Sequence, residues 1–205
     1  MEKIPAIILA AGLSSRMGAF KPLLPLAGAT LLDHGITALR SRGAISDIIL
    51  VVGHRGEEIR TAVQARPDLR IVENPLYAQG EMLSSVQCGI RALAAESTGF
   101  LLALADQPAG APATIQSLVN RFRTHHAPLT LPTFAGKRGH PVVFSTVLSA
   151  EILALAAPDT LKTLVHRHLP QAELVEVPDP SIHEDLDTPE DFARAARKYP
   201  PAPGR

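Results

Sequence analysis

Two cations and three carboxylates of this chain stand where they could do chemistry. Arg16 and Lys21 follow the small-residue run Leu9-Ala10-Ala11-Gly12-Leu13-Ser14-Ser15, which closes the first apolar segment. Asp106 closes another apolar run, Phe100–Leu104, and Asp185 and Asp187 lie two positions apart farther on. Small residues let a backbone approach a ligand, and the N–H groups of such a loop bind phosphate. An arginine forks onto two phosphate oxygens, while a lysine acts as a point charge. Two other phosphate loops are excluded by spacing. Gly18 is followed by Ala19 and Lys21 by Pro22, so there is no Gly-Lys-Ser/Thr; with only Gly12 and Gly18, there is no Gly-x-Gly-x-x-Gly either.

Magnesium is a hard ion that takes one or two carboxylates and completes its shell with water and substrate phosphates. Asp106 with Asp187 suits Mg²⁺ better than any arrangement of the eight histidines. His125-His126 falls at a helix end, and the spacing of His166-x-His168 turns two helical rings to different faces. Decoration of a helix N-terminus is the alternative for Asp185 and Asp187, and is the reading adopted for Asp191. Ser84 and Ser85 open a helix, where one of them can serve as a cap. Cys88 reads as a small apolar residue of that helix. No Gly-x-Ser-x-Gly elbow is present, which argues against serine-hydrolase chemistry.

Strands expected at Ile4–Leu9, Ile48–Val52, Phe100–Leu104, Pro141–Phe144 and Leu174–Val177 would carry these groups, with weaker ones at Leu69–Val72 and Leu129–Pro132. The first three are apolar on both faces, as strands covered by helices on either side are. Helices are expected at Thr30–Arg42, Glu57–Ala65, Leu83–Ala95, Pro112–His125, Thr146–Ala156, Thr160–His168 and Pro189–Lys198. Gly43 suits a left-handed helix end, Pro112 and Pro189 suit first turns, and Thr188 with Asp191 forms a capping-box pattern. Such alternation predicts an α/β fold, a Rossmann-like three-layer sandwich with a mostly parallel sheet and right-handed crossovers. Asp106 then sits at the carboxyl end of a central strand, where open α/β sheets bind ligands.

The chain has 205 residues, with Lys+Arg 20 against Asp+Glu 20 and a single cysteine. Balanced charge argues against a nucleic-acid surface, and one cysteine excludes a disulfide framework or thiolate zinc cage. No apolar run reaches the roughly 18–20 residues needed to span a bilayer, so no membrane partner is expected. The apolar run from Ile4 to Ala11 is too short for a signal segment and ends in a glycine loop, which predicts a cytoplasmic protein. Residues 1–199 read as one domain and 200–205, rich in Pro and Gly, as a flexible tail.

The first loop, Leu-Ala-Ala-Gly with a spacer and then Arg16-Met17-Gly18 and Lys21, resembles the signature of the nucleotidyltransferases with a glycosyltransferase-A-like fold. Asn74-Pro75-Leu76-Tyr77-Ala78-Gln79-Gly80 with Met82 and Ser84-Ser85 resembles that family's second base- and ribose-contacting segment, and Ala105-Asp106-Gln107-Pro108 its metal-binding motif. Gly139-His140-Pro141 and Asp185-Leu186-Asp187-Thr188-Pro189 resemble the endings of its molybdenum-cofactor cytidylyltransferase branch. The resemblance implies in-line attack of an acceptor phosphate on the α-phosphate of a nucleoside triphosphate, with pyrophosphate leaving. Asp106 and Asp187 would hold Mg²⁺, Lys21 would meet the α-phosphate and Arg16 the leaving phosphates, while backbone from Leu9 to Ser15 with Asn74, Gly80, Ser84 and Ser85 would bind the nucleotide.

Gly139, His140 and Pro141 would bind the acceptor, and Lys137 and Arg138 could hold its phosphate or remain a solvated loop. Ala-Ala-Gly goes with CTP in the resembling branches, and the Ala11 methyl would narrow the pocket against a purine. Implied partners are CTP, molybdopterin and, transiently, a molybdenum hydroxylase that receives the product. GTP or another base, a sugar or polyol phosphate acceptor, and a molybdopterin-binding chaperone without turnover are the alternatives.

Overall fold

The computed structural model describes residues 2–13, 19–63, 66, 69–79, 81–107, 111–186 and 188–198. Ten strands are assigned among them: β1 (Ala6–Ala10), β2 (Pro25–Leu26), β3 (Ala29–Thr30), β4 (Ile48–Val52), β5 (Leu69–Glu73), β6 (Gly99–Leu104), β7 (Leu129–Phe134), β8 (Lys137–Arg138), β9 (Val142–Ser145) and β10 (Glu173–Glu176). The helices are α1 (Leu31–Arg40), α2 (Gly56–Val63), α3 (Glu81–Arg91), α4 (Pro112–His125), α5 (Ser149–Ala154), α6 (Leu161–His168) and α7 (Pro189–Lys198). The main sheet runs β10-β7-β9-β6-β1-β4-β5, with β8 paired to the end of β7. Only β8 and β9 run antiparallel to their neighbours there, so the mostly parallel α/β sandwich expected from the sequence is the fold observed.

Alternation along β1 divides the core between two faces. Ile8 and Ala10 pack with Leu32, Ile36, Ile59 and Leu118 of α1, α2 and α4. Ile7 and Leu9 pack with Val86 and Ile90 of α3, Ile152 of α5 and Leu164 of α6. Truncating a fully buried Leu or Ile here to Ala would cost about 2–5 kcal/mol, the transfer term plus a cavity. Each central strand is apolar on both faces for this reason.

The differences from expectation have local causes. Thr30 is not the first residue of α1 but its cap: its hydroxyl accepts from the Asp33 N–H while the Asp33 carboxylate accepts from the Thr30 N–H. Gly43 adopts φ +63° just past that helix, as its position predicted. The expected helix from Thr146 to Ala156 divides into a 3-10 turn, Thr146–Leu148, and α5, since Ser145 caps the first turn through the Val147 N–H. The β2–β3 hairpin was not expected; Ala27 (φ +50°) and Gly28 (φ +87°) make its turn without one of the usual turn dipeptides. The Thr188–Asp191 capping box forms as read, which assigns Asp191 to the start of α7.

Candidate active site

Register brings the functional segments together. Leu9 of β1 stands opposite Leu104 of β6, Ala10 opposite Val52 of β4, and Val52 opposite Glu73 of β5. The chain therefore leaves four parallel strands at one sheet edge, at Ala11, Ala105, Gly53 and Asn74. Backbone bonds lock the exits: the Ala105 N–H donates to the Leu9 carbonyl, His54 to Ala11, and Asn74 to Val52. Between them lies a cleft of about 460 Å³ whose walls include Ala11, Gly12, Lys21, Tyr77, Ser85 and Asp106. A side chain at Gly12 would meet nothing within 4 Å, so this bare backbone opens toward space a ligand can use.

Lys21 and Asp106 form the charged centre. The Lys21 Nζ donates to Asp106 Oδ2 at 3.2 Å. The lysine side chain is 8% exposed and the carboxylate 35%, so the pair presents chiefly its acid to the cleft. Lys21 opens a 3-10 turn with Pro22, beside the buried Phe20. Phe20 is fixed edge-on against His54, with the Arg55 guanidinium 4.8 Å above its ring. The arrangement holds a buried cation where a phosphate could replace or share its carboxylate partner.

A second bracket supports the wall opposite. Asn74 is 2% exposed, and its amide donates to Ser84 Oγ at 2.9 Å and Ser85 Oγ at 3.0 Å while its carbonyl accepts from the Leu76 N–H. Ser85 reaches the cleft. Asn74 and Ser84 lie behind it and join the turn after β5 to α3, so their side chains position the wall. Gly53 is required here by close approach, because a Cβ would come within 2.6 Å of Tyr77 Cβ and 3.0 Å of Ala11 Cβ.

Asp185 comes to the same region from the far end of the chain. Leu186, packed with Leu26 and Leu31, anchors its segment beneath the hairpin, and the Gln107 side-chain amide donates to Asp185. Asp179 fastens the segment lower down, accepting from the Ala111 N–H and Thr114 Oγ1 at 2.7 Å each and from Ser181. Burial works against its charge, but these hydrogen bonds outweigh it and hold its carboxyl below the usual carboxylate range. Ser14, Ser15, Arg16, Gly80 and Asp187, named from the sequence, lie outside the described residues.

Beside the first cleft, and sharing Met82 with it, is a second of about 640 Å³. Its floor includes Leu131, Val142, Phe144 and Val165, and its rim carries Lys137, Arg138, Gly139, His140, Lys162 and His166. Gly139 is held by its N–H to the Pro132 carbonyl, and a Cβ there would lie 2.3 Å from the Ile182 carbonyl oxygen. His140 is bound through its N–H to that same carbonyl. Burial pushes the His140 imidazole below its usual value, with Asp185 and Asp106 partly opposing. Pro141, although part of the same expected motif, does not line this cleft. Sequence reasoning missed Lys162 and His166, which carry no motif; their spacing of four on one helix was the available signal.

The chain is similar to known proteins over most of its length. Residues 6–172 match the model of the MobA-like NTP transferase domain. The chain is 34% identical to the molybdenum cofactor cytidylyltransferase of Escherichia coli K12 over 200 residues, covering 97% of this chain and 98% of that one. Among solved structures it resembles Rv0371c of Mycobacterium tuberculosis H37Rv, with a TM-score of 0.81, 29% identity, and 95% and 98% of the two chains covered. A nucleotidyl transferase from Methanothermobacter also gives a TM-score of 0.81, at 26% identity over 97% and 98%. With the family's domain spanning most of the chain and the strand-end cleft at its centre, this chain is a nucleotidyltransferase and belongs to the MobA-like NTP transferase family.

Proposed function

We propose that the protein transfers CMP from CTP to the terminal phosphate of molybdopterin, giving the cytosine dinucleotide and pyrophosphate. The observation that carries this reading is the pair formed by Lys21, at the start of a 3-10 turn, and Asp106, just past the end of β6, set in a cleft open to bare backbone at Gly12. The 34% identity with a cytidylyltransferase of the molybdenum cofactor supports the choice of substrates.

In this scheme an oxygen of the acceptor phosphate attacks the α-phosphorus, and the bond to the β-phosphate oxygen breaks in line. Pyrophosphate leaves with the bonding electrons. Such a reaction asks the protein for positioning and charge stabilisation more than for a nucleophile. The Lys21 ammonium stabilises charge growing on the α-phosphate, and Arg16 is proposed to hold the departing phosphates. Backbone N–H groups after β1 cradle the triphosphate, and Tyr77 and Ser85 bound the nucleoside side of the cleft.

Asp106 fits a magnesium site, being a hard oxygen donor, partly exposed, at the strand end that faces the substrate phosphates. Asp106 and Asp187 would hold the ion, which when bound supplies positive charge to the reacting phosphates.

The test is incubation of the protein and Mg²⁺ with molybdopterin and each of CTP, GTP, ATP and UTP, assaying pyrophosphate and the dinucleotide. CTP is expected to give the fastest turnover. Preference for GTP would overturn the base assignment, and no release with any of the four would overturn the reaction.

A further inference from the structure

We infer that α6 is the second wall of the acceptor site, where Lys162 and His166, with Lys137 and Arg138 across the cleft, seat an anionic group of the acceptor other than the phosphate that attacks. The inference rests on the transferase reading above and deepens it to a class of acceptor: one that carries a second anionic group besides its attacking phosphate, next to a flat ring system.

Three observations carry it. First, neither Lys21 nor Asp106 lines the second cleft, and none of Lys137, Arg138, Lys162 and His166 lines the first, so this group of donors is distinct from the reacting centre. Second, no carboxylate lines the second cleft among the described residues, and Lys137, Arg138 and Lys162 have no carboxylate partner there. Elsewhere on the surface Lys3, Arg55, Arg167 and Arg194 are each paired with an acid. Three uncompensated cations around one concavity raise the local potential for anions.

Third, the cleft has an apolar floor wide enough for more than a phosphate. Phe144 is stacked on Phe100 with centroids 5.3 Å apart, and Val142, Leu131 and Val165 continue the surface. About 640 Å³ falls within the usual size of small-molecule sites, which combine an apolar lining with a few polar groups that fix orientation. Lys162 and His166 are one helical turn apart on α6, so both face the floor from the same side. His168, by contrast, is engaged by Glu151 and does not belong to the cleft. Since the attacking phosphate must reach Lys21 and Asp106, the cations of the second cleft serve a different part of the same molecule.

The experiment uses the full chain, wild type and the double variant Lys162→Ala/His166→Ala, with two readouts. One is turnover with CTP, Mg²⁺ and molybdopterin; the other is direct binding of molybdopterin without nucleotide, followed by pterin fluorescence. The double variant is expected to raise the acceptor KM at least tenfold and weaken direct binding in parallel, with the KM for CTP unmoved. A pterin phosphate lacking a second anionic group is expected to lose far less, less than threefold. If wild type turns over and the variant keeps its acceptor KM, the α6 wall is wrong while the transferase reading stands. Equal losses for both acceptors would overturn the second anionic contact. If wild type shows no turnover, the reaction fails by itself, and α6 is then judged on binding: unchanged affinity in the variant, or no binding by wild type, overturns it.

Discussion

The first cleft is lined by the ends of the parallel strands β1 and β6 and centred on a cation already paired with an acid, whereas the second has an apolar floor and three cations with no acid among its described walls. Met82 is the wall they share. Paired charge in a partly buried place suits a centre where charge moves during reaction, because the partner can be exchanged for substrate without leaving a bare ion. Uncompensated charge over apolar surface suits binding, since a ligand then gains attraction without displacing a protein partner. The two halves of the proposed substrate pair thus meet two kinds of electrostatics, one for transfer and one for capture.

The sharpest way to break this contrast is at the charged centre. Lys21→Ala is expected to lower turnover about 10²–10³-fold, the effect of removing one positioned charge donor at a transition state, with far-ultraviolet circular dichroism unchanged. Asp106→Ala should fall at least as far. Pyrophosphate release within tenfold of wild type in both variants would mean that the pair is not where transfer occurs.

The next largest effect concerns what holds the clefts in register. Asp179→Ala would strip the partners of the Ala111 and Ser181 N–H groups and of Thr114, a loss of about 2–3 kcal/mol for buried donors left unsatisfied. In a chain of this length that lowers the melting temperature by about 5–10 °C. The folded carboxyl titrates below its ordinary 3.8, so its stabilisation is complete above that value and is lost as pH falls through the folded one. Acid unfolding of wild type below pH 3.8 should therefore be steeper than that of Asp179→Asn, and identical curves would remove Asp179 from the account.

The two clefts also differ in how far they could be read without coordinates. Lys21, Asp106 and the glycine loop are legible because each ends or follows a short apolar strand, and parallel pairing sends such ends to one edge. For Asn74 the motif resemblance points to a ligand contact and the spacing to a strand end; that its amide donates to Ser84 and Ser85 needs the packing of α3. The second cleft is assembled from a two-residue strand at Lys137 and a helix beginning more than twenty residues later. No local pattern joins Arg138 to Lys162, so only tertiary structure does. The β2–β3 hairpin escaped for another reason: with two residues per strand it has no alternation to detect.

On the wall opposite α6, Arg138→Ala is expected to raise the KM for molybdopterin about tenfold, equivalent to about 1.4 kcal/mol, and to leave the Kd for CTP within twofold. A variant that weakens CTP and molybdopterin equally would show that the two clefts are one electrostatic site. Raising salt from low to physiological ionic strength should narrow the difference between variant and wild type, because exposed cations are screened while a buried one is not.

The smallest effect expected is at Ala11, where the two clefts' division of labour meets base choice. Ala11 is 3% exposed, lines the first cleft and comes within 3.0 Å of where a Cβ on Gly53 would stand. Removing its methyl widens the cleft there by one carbon, which in a pocket is worth about 1 kcal/mol at the low end of the range, or about fivefold. Ala11→Gly should therefore raise kcat/KM for GTP relative to CTP about fivefold, with the acceptor KM unaltered because the second cleft lies beyond Met82. A gain for GTP confined to kcat would point to altered placement of the α-phosphate, whereas a gain confined to KM fits extra room for the base. No change in the ratio would remove the methyl as a selector and leave the position of the loop backbone as the determinant.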